Sequence, residues 1–332
     1  MKAQAYSAPL DGIRALAALT VVAYHARIPG LPGGFFGVDV FFVLSGYLIT
    51  RLLVHEYARE AGFKFDHFIF RRIRRLLPAL LAMLLAYLST APWLFSDVPV
   101  FKHLRDTLLS AVYIVNYATV LGAPVSVLGH VWSLAVEMQF YLLWPLILLG
   151  LLRLPRHWAL ILMFMLYLLA TATRWWGGEK LGVWAFYPRT ETHCSGLLLG
   201  CLLGYAEVNI HRYWAVFGLS LIIFAMTFFS TAWMPTVLYG FTIVEAGAAL
   251  LIVAQPSWLG GNLLAWLGRL SYGLYLWHYP IMRLVRDKDG WEWHEILLLG
   301  GGLGLLLAAL SHYFLERRFY QSHFSRQHKG LA

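Results

Sequence analysis

From residue 8 onward the chain alternates apolar runs of about twenty residues with short polar breaks, the pattern of helices that cross a hydrocarbon layer about 30 Å thick. Ten such runs are readable: 8–28, 36–55, one that opens at FIFRRIRRLLP and ends near Pro92, then 130–152, 157–176, 191–208, 213–231, 235–255, 262–284 and 294–315. An eleventh stretch, 98–121, is amphipathic, with Lys102, His103, Arg105 and Asp106 in its first half. If it crossed fully, the RLPR at 153–156 would fall outside, against the excess of Lys and Arg expected on the inner side. It is therefore expected to be re-entrant or surface-lying. The predicted fold is all-α: a polytopic integral membrane helical bundle of about ten transmembrane helices plus one re-entrant or surface helix.

Charge orients this bundle. Arg51, Arg59, Lys64, Arg71, Arg72, Arg74 and Arg75 gather between the second and third runs, so that end is expected in the cytoplasm. The N-terminus and a basic tail at 319–332 then also face the cytoplasm, and the turn Pro29 to Gly34 lies outside. Residues 7–318 read as one membrane domain, because the longest outer loop, about 177–190, is too short to fold alone and no low-complexity linker appears. Asp11 and Arg14 inside the first run, which leads directly into a second, argue against a cleavable signal peptide.

Composition agrees with the pattern. Of 332 residues, 60% are hydrophobic and 13% charged, against about 25% charged in soluble domains. The net charge of +9 raises nucleic acid as a partner, but the Lys and Arg sit in clusters between apolar runs and read as topology signals, with membrane lipids as their neighbours. Cys194 and Cys201 fall seven apart on one predicted helix, a rise of about 10 Å, too far for a disulfide.

Ionisable residues at membrane depth carry the chemical argument, since each costs roughly 2.5–3.5 kcal/mol at mid-helix. Arg14 and His25 are eleven residues apart, about three turns and about 16 Å, on one helical face. His25 is either a core histidine bonded to a carbonyl or a general base for a hydroxyl. Arg71, Arg72, Arg74 and Arg75 are either a stop-transfer cluster on lipid head groups or a phosphate clamp, with Arg72 and Arg75 neighbours at i,i+3. Glu137, flanked by Trp132 and Tyr141, must be protonated or paired. It either orients His25 or forms a structural ion pair with Arg14. Tyr275 and His278 in RLSYGLYLWHYPI are packing residues or cavity residues. Asp39 and Ser45, with the glycines around them, either line the same cavity or, for Asp39, cap a helix end. Nothing in the pattern calls for a metal.

Taken together, LDGIRALAALTVVAYHA with GFFGVDVFFVLSGYLIT, FRRIRRLLPAL, HVWSLAVEMQFYLLWP and LSYGLYLWHYP resemble, in that order, the motifs of membrane-bound acyltransferase family 3, the O-acyltransferases of bacterial surface polysaccharides and antibiotics. The resemblance runs from about residue 7 to 318 and implies about ten spans, both termini cytoplasmic, in the bacterial inner membrane. It implies transfer of an acyl group, usually acetyl, from cytoplasmic acetyl-CoA as co-substrate to a hydroxyl of a carbohydrate or lipid-linked glycan acceptor at the outer side, with no tightly bound cofactor. On the matching positions, Arg14 and His25 take the intramembrane Arg and catalytic His, Arg72 and Arg75 the Arg motif beside Arg71, and Glu137 the Glu. Trp132, Ser133 and Tyr141 belong to the third motif and are expected at the cavity. The chain departs where members often read Thr-x-Thr-Arg-Ala-Asp-Gly: here Thr190, Glu191, Thr192, His193, Cys194, Ser195 and Gly196 stand, so His193 and Ser195 replace Arg and Asp. Some members carry a secreted hydrolase-like domain; this chain is expected to be a stand-alone form. The rival reading, a transporter or exporter of a glycan or lipid, lacks the internal two-fold repeat that transporters often show.

Overall fold

The structure, a computed structural model, describes residues 7–60, 62–181, 186–286 and 290–321, and all the regular elements among them are helical. Of the predicted tail 319–332, residues 322–332 lie outside this description.

Each predicted crossing coincides with helix. The first is α1 (Ala8–His25), followed by α2 (Gly37–Glu60) and α3 (Phe65–Leu94). The amphipathic stretch is two short helices, α4 (Val100–Ala111) and α5 (Val115–Val120). Then come α6 (Trp132–Leu151), α7 (Arg156–Leu181), the single turn α8 (Thr190–His193), α9 (Ser195–Ala206), α10 (Trp214–Phe228), α11 (Phe241–Ala254) and α12 (Asn262–Arg286). A final helical run, Trp293–Phe319, contains α13 (Trp293–Ile296) and α14 (Gly302–Leu310) joined by a widened turn. Among the described residues, six helices are long and apolar enough to cross a membrane, and α9 and α10 are shorter apolar helices. The chain is a polytopic membrane protein. The crossing predicted for 191–208 is broken at Cys194 into α8 and α9.

The amphipathic stretch is inverted relative to a soluble helix. His103, Asp106, Thr107 and Ser110 of α4 are buried, while Val100, Phe101, Leu104 and Leu108 are exposed. Tyr87 of α3 bonds His103 at 2.6 Å, and Asp106 accepts Arg105 and the Ser126 backbone N–H. Polar groups inside and apolar ones outward suit a helix whose solvent is lipid.

Two close crossings set the frame. A Cβ on Gly46 of α2 would lie 2.0 Å from the Leu197 carbonyl oxygen, and one on Gly200 of α9 would lie 2.0 Å from that of Val43. Only glycine at both positions lets the two backbones touch, the small-residue packing by which membrane helices associate without a hydrophobic drive. At Gly268 of α12 the Cβ position is 1.9 Å from the Asp11 carbonyl oxygen of α1. This contact binds α1 along α12, so that residues further up both helices meet.

Candidate functional site

The α1–α12 crossing brings Arg14 Nε to 3.3 Å from Ser271 Oγ and, towards the other end of both helices, His25 Nδ1 to 3.0 Å from His278 Nε2. Two sites result, an arginine end and a histidine end.

The arginine end is a pocket between α1, α2, α3, α6 and α12. Arg14, Arg72 and Arg75 supply its cations, Glu137 its carboxylate, and Ser45, Ser133, Tyr141, Ser271 and Tyr275 its hydroxyls; Val38, Phe41, Phe42 and Leu134 are among its apolar wall. Helical spacing explains the selection on α2. Val38, Phe41, Phe42 and Ser45 follow i, i+3, i+4, i+7 and face inward. Ser45 Oγ and Tyr141 Oη both donate to Glu137 Oε1 at 2.5 Å. The Arg72 guanidinium lies over the Tyr141 ring at 5.4 Å.

Arg71 is not at this pocket. It stands about 100° round α3 from Arg72 and donates to Glu56 Oε2 at 2.7 Å on the exposed side. Asp39 is likewise turned away, about 100° from Val38: its Oδ1 is 2.9 Å from His193 Nε2, and both residues are buried. Trp132 packs on His193, Tyr187 and Phe42 instead of lining the pocket. Glu137 shares the pocket with Arg14, one of the two partners weighed for it, and the other, His25, lies at the histidine end. Glu137 is five residues inside α6 and bonds Ser45 and Tyr141, whereas His25 is the last residue of α1 and bonds His278.

The histidine end is built on α12 and the entry to α6. Pro280 has no N–H, so the Leu276 carbonyl four residues back lacks its helical donor, and His130 Nε2 donates to it at 3.2 Å. His130 also stacks on Tyr279 at 4.8 Å, and Tyr279 meets the edge of His25 at 4.7 Å. His278 Nδ1 is 2.9 Å from the Leu274 carbonyl. Tyr275 joins the two ends: it lines the pocket, its Oη donates to the His130 carbonyl at 2.7 Å and lies 2.5 Å from Ser133 Oγ, and its ring is 5.7 Å from that of His278.

Several buried groups escaped the sequence reading. His130 lies inside the quoted HVWSLAVEMQFYLLWP block but was not singled out. Arg174 of α7 donates to Glu245 Oε1 of α11 at 2.8 Å and to Ser195 Oγ at 2.6 Å, with both charged residues 1% exposed. The burial cost that drew attention to Arg14 applies equally to a charge in the runs 157–176 and 235–255, and would have found this pair. The departing block is thus absorbed into two buried contacts, His193 with Asp39 and Ser195 with Arg174 and Glu245. Cys194 and Cys201 are both free thiols. Among the described residues no cluster of three or more His, Cys, Asp or Glu could hold a metal ion.

Comparison with known proteins places this arrangement in a family. Residues 8–313 match the model of an acyltransferase domain. The peptidoglycan O-acetyltransferase OatA of Listeria monocytogenes is 32% identical over 98% of this chain and 58% of its own length. YrhL of Bacillus subtilis, a candidate peptidoglycan O-acetyltransferase, is 35% identical over 94% of this chain and 54% of its own. SAS0844 of Staphylococcus aureus, a candidate O-acetyltransferase, is 30% identical over 96% of this chain and 58% of its own. The chain therefore spans somewhat more than half the length of these relatives. No solved structure matches it. With nearly the whole membrane bundle matched, this chain belongs to the acyltransferase family that the domain defines.

Proposed function

We propose that the protein is an O-acetyltransferase that moves an acetyl group from acetyl-CoA, entering at the arginine end, to a hydroxyl of a glycan held at the histidine end, with the glycan of peptidoglycan as the acceptor class suggested by the relatives' names. The observation that supports this reading is the pocket lined by Arg14, Arg72, Arg75 and Tyr275, with the Tyr275 ring 5.7 Å from that of His278 and His278 Nε2 3.0 Å from His25 Nδ1. Guanidinium forks suit phosphate and the oxygens of a polar thioester donor, and an imidazole suits proton removal from a sugar hydroxyl. By the positive-inside bias the arginine end and both termini face the cytoplasm, in a bacterial plasma membrane. Residues 7–318 form the catalytic membrane domain and 319–332 its basic tail.

In this mechanism the acceptor oxygen forms a bond to the thioester carbonyl carbon as His25 takes its proton. The carbonyl is restored as the C–S bond breaks, and the CoA thiolate leaves and is protonated. Arg72 and Arg75 hold the donor's phosphates, and Arg14, further along the pocket, steadies its arm. Asp39 acts through His193, and Trp132 through its packing on that ring. Glu137, anchored by Ser45 and Tyr141, gives the pocket wall its negative charge opposite three arginines.

The test is transfer of labelled acetyl from acetyl-CoA to a glycan acceptor by purified protein in nanodiscs. Wild type should label the acceptor and His25→Ala should not. Full transfer by the variant, or none by folded wild type with peptidoglycan fragments and simpler glycans alike, overturns the reading.

A further inference from the structure

Two of the three imidazoles at the histidine end, His25 and His278, differ in what fixes them. His278 is fully buried, and its Nδ1 is 2.9 Å from the Leu274 carbonyl. A carbonyl oxygen only accepts, so Nδ1 of His278 carries the proton and donates. Its other nitrogen, Nε2, then offers a lone pair in the neutral ring. That lone pair lies 3.0 Å from His25 Nδ1. A short contact between two ring nitrogens needs one proton, so it comes from His25, as Nδ1–H. The proton of His25 being on Nδ1, its Nε2 is left bare.

We propose that His278 is the positioning residue of the reaction: it holds His25 as the Nδ1–H tautomer, with the unprotonated Nε2 available to the acceptor hydroxyl. A carbonyl and a second imidazole thus do here what a buried carboxylate does for the histidine of a Ser-His-Asp triad, without a negative charge. A doubly protonated His278 would donate from both nitrogens and reverse the order. Among the described residues, though, its neighbours include the Leu274 and Tyr275 backbone, the His25 imidazole and the rings of His130, Tyr275 and Tyr279, with no carboxylate among them to pair a cation.

The backbone keeps this geometry tight. The Cβ position of Gly304 in α14 is 3.0 Å from the His278 Cα, and that of Gly273 is 3.1 Å from Ala308. The two helices therefore lie in direct contact at His278, and the Leu274 carbonyl one turn back cannot swing away. Tyr279 against the edge of the His25 ring limits the rotation that would exchange its nitrogens.

The part played by His25 in acyl transfer rests on the proposed function, whereas the tautomer is a property of the protein alone, so the experiment has two arms. In full-length protein labelled with ¹⁵N-histidine, with His25 assigned by comparison with His25→Gln, the wild-type ring should show a protonated Nδ1 and a bare Nε2. In His278→Phe, which keeps bulk but removes the acceptor, that signature should give way to the Nε2–H form or a mixture. Kinetically, His278→Phe should lower kcat by roughly 10²–10⁴-fold, the range of general base catalysis, with KM for acetyl-CoA within about threefold. His278→Gln, whose Oε1 can accept near the position of Nε2, should recover at least about tenfold of that loss. A wild-type His25 protonated on Nε2 overturns the proposal. So does a His278→Phe that leaves the tautomer unchanged or keeps kcat within about threefold, or a His278→Gln no better than Phe. If His278→Phe fails to fold, the wild-type signature and His278→Gln decide. If wild type transfers no acetyl, the proposed function fails and the spectroscopic arm alone judges this inference.

Discussion

The arginine end and the histidine end are built by the same helices yet hold their polar groups in different ways. At the arginine end, long side chains from five helices converge on open space, and charge faces charge across it: Arg14, Arg72 and Arg75 with Glu137. At the histidine end aromatic and imidazole rings pack on one another, and two of the imidazoles are tied by backbone carbonyls: His278 by Leu274, His130 by Leu276. A site that must admit a large, variable anion gains from reach and charge. A site that must offer one lone pair in one direction gains from fixed acceptors. Tyr275 belongs to both, lining the pocket with its ring 5.7 Å from that of His278.

The contrast is sharpest in the chemical step. His25→Ala is expected to lower the turnover of bound donor by about 10²–10⁴-fold while leaving acetyl-CoA affinity near wild type. Stopped-flow transfer alongside equilibrium binding of the donor checks both. A joint loss of binding and turnover would merge the two ends into one site.

Next in size is a change remote from both ends. Glu245→Ala strips the partner from buried Arg174, and losing one member of a buried pair costs about 3–5 kcal/mol. Thermal unfolding in nanodiscs should show a large drop in midpoint, with donor affinity of the folded fraction unchanged. A specific loss of donor binding would mean that α7 and α11 belong to the arginine end.

The double variant Arg72→Ala plus Arg75→Ala should weaken acetyl-CoA binding. At about 1.5–3 kcal/mol for a hydrogen bond to a charged group, each arginine contributes on the order of 10–100-fold. Dephospho-CoA and CoA measured against the variants would show which phosphate each arginine holds, and unchanged affinity would return both to lipid head groups. Smallest is Arg71→Ala. The guanidinium pairs with Glu56 at a half-exposed position, where ion pairs are worth about 0–1 kcal/mol, and donor affinity should stay within about threefold. A larger loss would extend the arginine end onto the exposed side of α3.

Periodicity and charge placed the helices well, because a crossing of the bilayer needs about twenty apolar residues whatever its neighbours. The amphipathic 98–121 stood apart because a full crossing there would set RLPR against the positive-inside bias, and it is two short helices with their polar groups turned in. Burial cost drew out Arg14, His25 and Glu137 from the chain alone, since charge in hydrocarbon has to be explained. Helical geometry even separated Arg72 and Arg75 as one face. What it could not supply was rotation and partner. Asp39 is one residue from Val38, yet 100° of turn carries it from the pocket to His193. Glu137 was open to either His25 or Arg14, and it bonds Ser45 and Tyr141 in the pocket that Arg14 also lines. Contacts such as His25 with His278, 253 residues apart, depend on which helices touch. That choice was made by Gly268 against Asp11 and by Gly304 against His278, where the lack of a side chain lets two backbones meet. That charge would be buried in a membrane bundle, and on which helices, follows from local composition and is legible along the chain. Which buried groups come within hydrogen-bond reach depends on how the helices pack, because hydrogen bonds act over about 3 Å and no periodicity fixes a distance between helices that finely.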